Sequence, residues 1–466
     1  MATVISYGAA EVVTGSCHLL ELENGKQILI DCGMFQGGEE ERNYDAFAFA
    51  PSEIDFVLLT HAHLDHCGRI PKLVKEGFEK TIVATRATFD LAEVIMLDSA
   101  KIMNEDYETR FKKALRRGSE KEVRPPLYGE DDVKDALNLT RRMPEYDEPF
   151  ELCKGVQVTY RDAGHILGSA FIEIRYEEAG QTKTIVFSGD IGNDNDMVLP
   201  NLATCPYADY LYVESTYGDR DHQNALQSTN EFKQVIVETL KNWGNVLIPS
   251  FAVERTQEIL FILKQMHENG ELPQCKVFVD SPMAIRATEV YNRNSDLLSE
   301  KCRKVKARDG SVFDFELLTY TPDVGESKAI NQVDSRAIII AGSGMCTGGR
   351  ILHHFKHRLW NRKNALIFVG YQAVGTLGRR IVDGAKWVKI YREDIRIGAS
   401  VYTINGFSAH ADQSNMLEWI EKMKGLQRIF LIHGELDKQE IFKKAIKETL
   451  HKEAHIVEAN EIIYLN

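Results

Sequence analysis

No apolar run in the 466-residue chain approaches the roughly 18 residues needed to cross a bilayer, so a membrane span is not expected. Residues Met1 to Leu20 lack a basic start leading into an apolar stretch and a small-residue cleavage site, so no secretory signal is expected. The compartment expected by default is the cytoplasm. Cysteine is sparse and scattered: its eight residues include no Cys-x-x-Cys pair, which argues against a thiolate zinc site and against a disulfide framework. Cys67, although beside metal-type residues, reads as a buried packing thiol. An excess of basic charge is also missing. The net charge of −13 disfavours tight, non-specific binding to phosphate backbones. Its distribution is uneven: Asp209 to Ser400 carries 26 Lys and Arg against 23 Asp and Glu, which leaves room for a local basic groove.

What is present is an ordinary globular composition, 44% hydrophobic and 27% charged, at a length that suggests about two or three domains. Short β-branched or apolar runs stop at polar clusters and alternate with amphipathic stretches, which reads as α/β. Strands are expected at 27–31, 54–60, 184–188, 210–213, 245–249, 276–279, 337–341, 365–369 and 428–432. Helices are expected at 230–243, 254–267, 349–359, 415–424 and 438–450, where Leu, Ile, Val and Phe recur at three- and four-residue spacing. The charged segment 105–146 reads as exposed helix and loop. No internal repeat or low-complexity tract stands out.

Nearly every expected strand ends in residues capable of chemistry. The densest group is Thr60-His61-Ala62-His63-Leu64-Asp65-His66, directly after the apolar run 54–59. Four ligand-type side chains within six residues, on the turn leaving a buried strand, can converge on one point. Imidazoles and a carboxylate without thiolates suit zinc. His165 in Asp162-Ala163-Gly164-His165, Asp190 in Ser188-Gly189-Asp190, and Asp31 closing Ile28-Leu29-Ile30 are each a weak signal alone, since such sequences are common turns. Asp31 is expected to orient a ligand from behind. Six of the 14 histidines fall in such strand-end motifs, His410 and His433 among them. The run His353, His354, His357 reads instead as a solvated or phosphate-facing helix surface with no obvious acid partner.

Taken together, His61-x-His63-x-Asp65-His66 with His165, Asp190 and Asp31 resembles the ligand pattern of the metallo-β-lactamase superfamily. Glu214, His410 and His433 resemble the β-CASP branch of that superfamily, whose members process nucleic acids. The similarity extends over the whole chain, which resembles prokaryotic homologues of the nuclease subunit of the eukaryotic pre-mRNA 3′-end cleavage factor. It implies a metallo-β-lactamase αββα sandwich, residues 1–208 and 401–466, with an inserted α/β β-CASP domain at 209–400. It further implies two Zn²⁺ per chain, with His61, His63 and His165 on one, Asp65, His66 and His433 on the other, and Asp190 bridging. Glu214 and His410 would form a catalytic pair beside them, together with Asp65. A histidine at the position of His433 resembles the RNA-processing members, where the DNA-repair members carry valine.

The resemblance therefore implies a zinc-dependent ribonuclease, cutting internally, from the 5′ end, or both. Two metals roughly 3.5–4 Å apart can clamp both sides of an in-line displacement at phosphorus and acidify a water to about neutral pH. Protonated His410, held by Glu214, is the natural donor to the leaving oxygen. In the insert, Gly342-Ser343-Gly344-Met345-Cys346-Thr347-Gly348-Gly349-Arg350 follows a strand and opens a helix, so its backbone N–H groups can face an anion. Ser343, Gly344, Met345, Gly349 and Arg350, with Ser250, Arg255 and Arg379 from other turns, are the expected phosphate contacts; for each arginine the alternative is a surface salt bridge. Single-stranded RNA is the expected partner, with a second copy of the chain or RNA-processing proteins as further partners. Competing readings are a DNA nuclease of the same fold, a small-molecule ester or lactone hydrolase, and an RNA-binding scaffold with an inactive site.

Overall fold

The computed structural model describes residues 1–193, 196–373 and 375–466. The chain divides into two compact units, one made of Met1–Asp194, Asn201–Asp221 and His410–Asn466, the other of Asn195–Pro200 and His222–Ala409. The second unit is thus inserted within the first. Strand Tyr210–Glu214 pairs with Gln181–Phe187 and Arg428–Ile432 in the first unit, and strand Ser400–Thr403 pairs with Ala365–Phe368 in the second. The chain passes into the second unit after Asp221 and returns to the first after Ala409.

The first unit contains two seven-stranded sheets. Period-two alternation explains how they share a core: Ile28, Ile30 and Leu58 project into the same cluster as Ile172, Phe187, Tyr212 and Phe430 of the other sheet. The intervening Leu29 and Val57 are also fully buried, on the opposite face. Such strands, apolar on both faces, need a covering layer. On the second sheet helices Gln413–Glu421 and Leu436–Leu450 supply it, laying Trp419, Phe442 and Ile446 against Phe171, Leu211 and Leu431. The expected αββα sandwich is the observed one.

The segment 105–146, expected as exposed helix and loop, begins with the exposed end of a longer helix. A 30-residue helix, Arg86–Leu115, starts at Thr85, whose side chain accepts from the Thr88 N–H as an N-cap, and its first half is buried through Leu91 and Ile95. A second helix, Glu130–Asn138, buries Val133 and Ala136.

The second unit is built on a six-stranded, wholly parallel sheet in the order Leu318–Tyr320, Lys276–Asp280, Ala337–Ala341, Val246–Pro249, Ala365–Phe368, Ser400–Thr403. Its near-continuous apolar strands, such as Ile338-Ile339-Ile340, are covered by helices including Ala225–Lys241, Arg255–Glu268 and Ile351–Arg358. A separate two-stranded ribbon joins Trp387–Ile390 to Glu393–Arg396. Among the described residues no helix is long and apolar enough to cross a membrane.

Candidate metal centre

In the first unit, parallel strands Gln27–Ile30, Phe56–Leu58, Gln181–Phe187, Tyr210–Glu214 and Arg428–Ile432 deliver Asp31, His61, Asp190, Glu214 and His433 at or just beyond their C-terminal ends. Open α/β sheets place their ligand sites there. The 61–66 turn leaves its strand and enters a single helical turn, Leu64–Cys67, so Asp65 and His66 point back toward His61 and His63. Two glycines permit the close packing around it. A Cβ on Gly33 would lie 1.6 Å from the Asp65 carbonyl oxygen, and one on Gly192 would lie 1.8 Å from the Gly164 carbonyl next to His165.

Seven side chains form two adjoining clusters. In the first, His61 Nε2 and His165 Nε2 approach His63 Nδ1 at 3.2 and 3.1 Å, and both face Asp190 Oδ2 at 3.5 and 3.6 Å. In the second, His433 Nε2 lies 3.3 Å from His66 Nε2 and 3.5 Å from Asp65 Oδ2. The other oxygen of Asp190, Oδ1, faces His66 Nε2 at 3.3 Å and His433 Nδ1 at 3.4 Å. Asp190 thus shows one oxygen to each cluster. Ligands held about 2.0–2.1 Å from a tetrahedral metal are separated along the edges of the tetrahedron by about 3.3 Å, so these spacings fit a metal in each cluster.

The electrostatics fit the same occupant. Burial and the neighbouring imidazoles push His61 well below its ordinary value, and burial takes His63 down to about 4, so both are neutral and able to donate lone pairs. Burial works against charge on His66 too, yet Asp190 and Asp31 raise it well above the usual imidazole range. That is the signature of an anionic pocket that a cation would neutralise. Asp190 Oδ1, fully enclosed, finds no hydrogen-bond partner among the described residues.

Asp31 stands behind the second cluster. His66 Nδ1 donates to its Oδ2 at 2.7 Å, while the Thr60 hydroxyl and backbone N–H donate at 2.8 Å each. This fixes the proton on Nδ1 and leaves Nε2 bare toward the cluster. The Ser16 hydroxyl, itself beside His18, extends the support. Sequence reading missed Ser16 and His18, and gave Thr60 no role beyond opening the 60–66 motif; Ser16 and Thr60 are marked only by their convergence on Asp31, and His18 by its contact with Ser16.

Beside the first cluster, His410 Nδ1 lies 3.0 and 3.2 Å from the two oxygens of Glu214, which is fully buried and also accepts from the Ile191 N–H at 2.7 Å. Burial opposes charge on His410, but Glu214 raises it to about 9. Its ring packs 4.6 Å from that of His165 and keeps one edge open to solvent. Cys67 is fully buried, its thiol pushed up by burial; all eight cysteines are unpaired.

The expected phosphate contacts all lie in the second unit. Ser250 is buried and bonded to Thr256 Oγ1. The glycine-rich loop closes on itself: Cys346 N–H donates to the Ser343 carbonyl, and Thr347 and Gly348 N–H donate to the Ser343 hydroxyl. Gly344 lies under the Phe251 ring, and Gly349, at φ +73°, lies against the Gly342 carbonyl. Each arginine is engaged by carboxylates. Arg255 is buried between Glu254 and Glu258, Arg350 meets Asp280 at 2.7 Å, and Arg379 meets Asp383 at 2.8 Å. His354 differs from its reading as a surface residue: it is buried, and its Nε2 lies 2.7 Å from Asp280, so an acid partner exists 74 residues earlier in the chain.

Three domain families match: the metallo-beta-lactamase superfamily over residues 10–137, the Beta-Casp domain over 256–381, and the Zn-dependent metallo-hydrolase RNA specificity domain over 394–457. The chain is 42% identical over 436 residues to Ribonuclease TTHA0252 of Thermus thermophilus, covering 93% of this chain and 94% of that one. It is 31% identical over 461 residues to Transcription termination factor FttA of Methanocaldococcus jannaschii, covering 96% of this chain and 69% of that one. A protein of unknown function from Enterococcus faecalis V583 has the same fold, with a TM-score of 0.57 at 12% identity over 100% of both chains.

Proposed function

Because the chain belongs to the β-CASP branch of the metallo-β-lactamase superfamily, we propose that it is a two-zinc ribonuclease that hydrolyses phosphodiester bonds of single-stranded RNA. The observation that carries the reading is Asp190 with one carboxylate oxygen aimed at each of two imidazole-rich clusters. His61, His63 and His165 would hold one Zn²⁺, Asp65, His66 and His433 the other, with Asp190 common to both. A cation pair held there supplies charge stabilisation at the scissile phosphate and acidifies the attacking water.

The chain's own groups do the rest. Glu214 keeps His410 protonated and aimed, and the imidazolium donates its proton to the departing oxygen. Asp31 and Thr60 hold His66 in a single tautomer, and Thr216 Oγ1, 3.2 Å from His433 Nδ1, steadies the last ligand. RNA processing or termination is the setting that the relatives' names support, and a second copy of the chain or RNA-processing proteins are the partners of this reading. The test is a 5′-labelled single-stranded RNA and its DNA equivalent, incubated with zinc-loaded protein, with the Asp65→Ala, His66→Ala double variant, and with a chelator. Cleavage of RNA alone, abolished in both controls, is expected. Cleavage of DNA instead moves the assignment to a DNA nuclease, and cleavage of neither moves it to a small ester or lactone.

A further inference from the structure

In a chain of net charge −13, residues 360–398 carry eight Lys and Arg against three Asp and Glu. Part of this excess faces one cavity of about 610 Å³, lined by Arg362, Lys386, Trp387 and Arg396 with the backbone around Gly398. Among the described residues none of these three cations has a carboxylate within ion-pairing distance, unlike Arg255, Arg350 and Arg379. Unpaired cations grouped around one concavity attract an anion.

The ribbon explains why the tryptophan is outside. Val388 and Ile390 are buried in the core of the second unit, so alternation turns Trp387 outward, where it is 58% exposed. Trp387 pairs across the ribbon with Arg396, so the two residues stand directly opposite each other, and both line the cavity. The base of the ribbon is pinned: the N–H groups of Gly398 and Ala399 both donate to the Leu359 carbonyl at 2.9 Å, and Ile397 N–H donates to Lys386. A Cβ on Gly398 would lie 2.2 Å from the Trp360 carbonyl, so only glycine allows this close approach at the base of the ribbon. A flat exposed ring beside exposed cations is the arrangement that binds single strands, the ring stacking on a base and the cations meeting its phosphates.

We propose that Trp387, Arg362, Lys386 and Arg396 form an accessory site for single-stranded RNA, separate in the sequence from the metal ligands. The inference rests on the ribonuclease reading above. It is tested with the zinc-loaded full chain and a fluorescein-labelled, phosphorothioate-linked RNA of about 20 nucleotides, long enough to occupy one such site. Anisotropy is followed from low to high salt. Trp387→Ala is expected to weaken binding by about 10-fold or more, and Trp387→Phe by less, since it keeps an aromatic face. The Arg362→Ala, Lys386→Ala, Arg396→Ala variant is expected to lower the slope of log affinity against log salt by about 2, at about 0.7 per lost phosphate contact. All four residues are exposed, and an unchanged thermal melt confirms an intact fold. Wild-type binding with unchanged affinity and slope in both Trp387→Ala and the triple variant overturns this site alone. A wild-type chain that neither binds nor cuts RNA overturns the ribonuclease reading with it.

Discussion

Replacing Asp31 with Asn isolates what a carboxylate behind a metal ligand contributes. Asn tolerates the left-handed backbone at this position, φ +59°, so the substitution adds no strain. The Thr60 backbone N–H can only donate, so the amide oxygen must take the place of Oδ1. That forces the amide NH₂ toward His66 Nδ1, where the carboxylate had accepted at 2.7 Å. His66 must then carry its proton on Nε2, the atom that faces Asp190 and His433 at 3.3 Å, and loses the lone pair a metal needs. Loss of such support costs about 10- to 100-fold in metal affinity, or about 1.4–2.8 kcal/mol. The expected result, read by competition against a chromophoric chelator, is one equivalent of zinc weakened by that amount and one unchanged, since His61, His63 and His165 do not contact Asp31. Two equivalents bound with unchanged affinity would refute the tautomer argument.

His410→Ala is expected to slow RNA cleavage by about a hundred- to ten-thousandfold without loss of zinc, and Glu214→Gln to act in the same direction; depleted zinc in elemental analysis would instead make His410 a ligand. Gly33→Ala drives a methyl into the Asp65 carbonyl and is expected to lose the zinc of the Asp65, His66, His433 cluster while the chain still folds, as read by metal content and circular dichroism. Asp280, paired with Arg350 and His354, is held at about 2 by those partners although burial works the other way. A depressed carboxylate stabilises the fold above its unfolded value and loses that contribution as pH falls, here from about 4 through about 2, a span worth about 2 kcal/mol. Denaturant titrations of wild type and Asp280→Asn should therefore differ most near neutral pH and converge toward pH 2; a constant gap would contradict the assignment.

The metal centre was legible because its ligands cluster where apolar strands stop, and a stop between two buried faces is visible in one dimension. The strands Val156–Asp162 and Ala170–Glu178 were not. Glu173 and Arg175 give the second of them the look of surface, but Glu173 is buried between Arg161 and Arg175, an ion-pair arrangement that no local pattern announces. The same limit hid the partner of His354, because Asp280 meets it only across the parallel sheet. The arginines show the converse: their positions after strands were readable, but whether a guanidinium is free or already held by a carboxylate depends on neighbours far along the chain.

Insertion of the second unit between Asp221 and His410 has a consequence in time. Six of the seven proposed ligands precede residue 191, but His433 and the proton donor His410 come after the whole insert. A growing chain that has completed both sheets' early strands can gather a partial cluster, yet it has no means of protonating a leaving group. The order of synthesis therefore puts the proton donor and the last ligand after the whole insert, and neither can join the cluster until the chain has been made through His433.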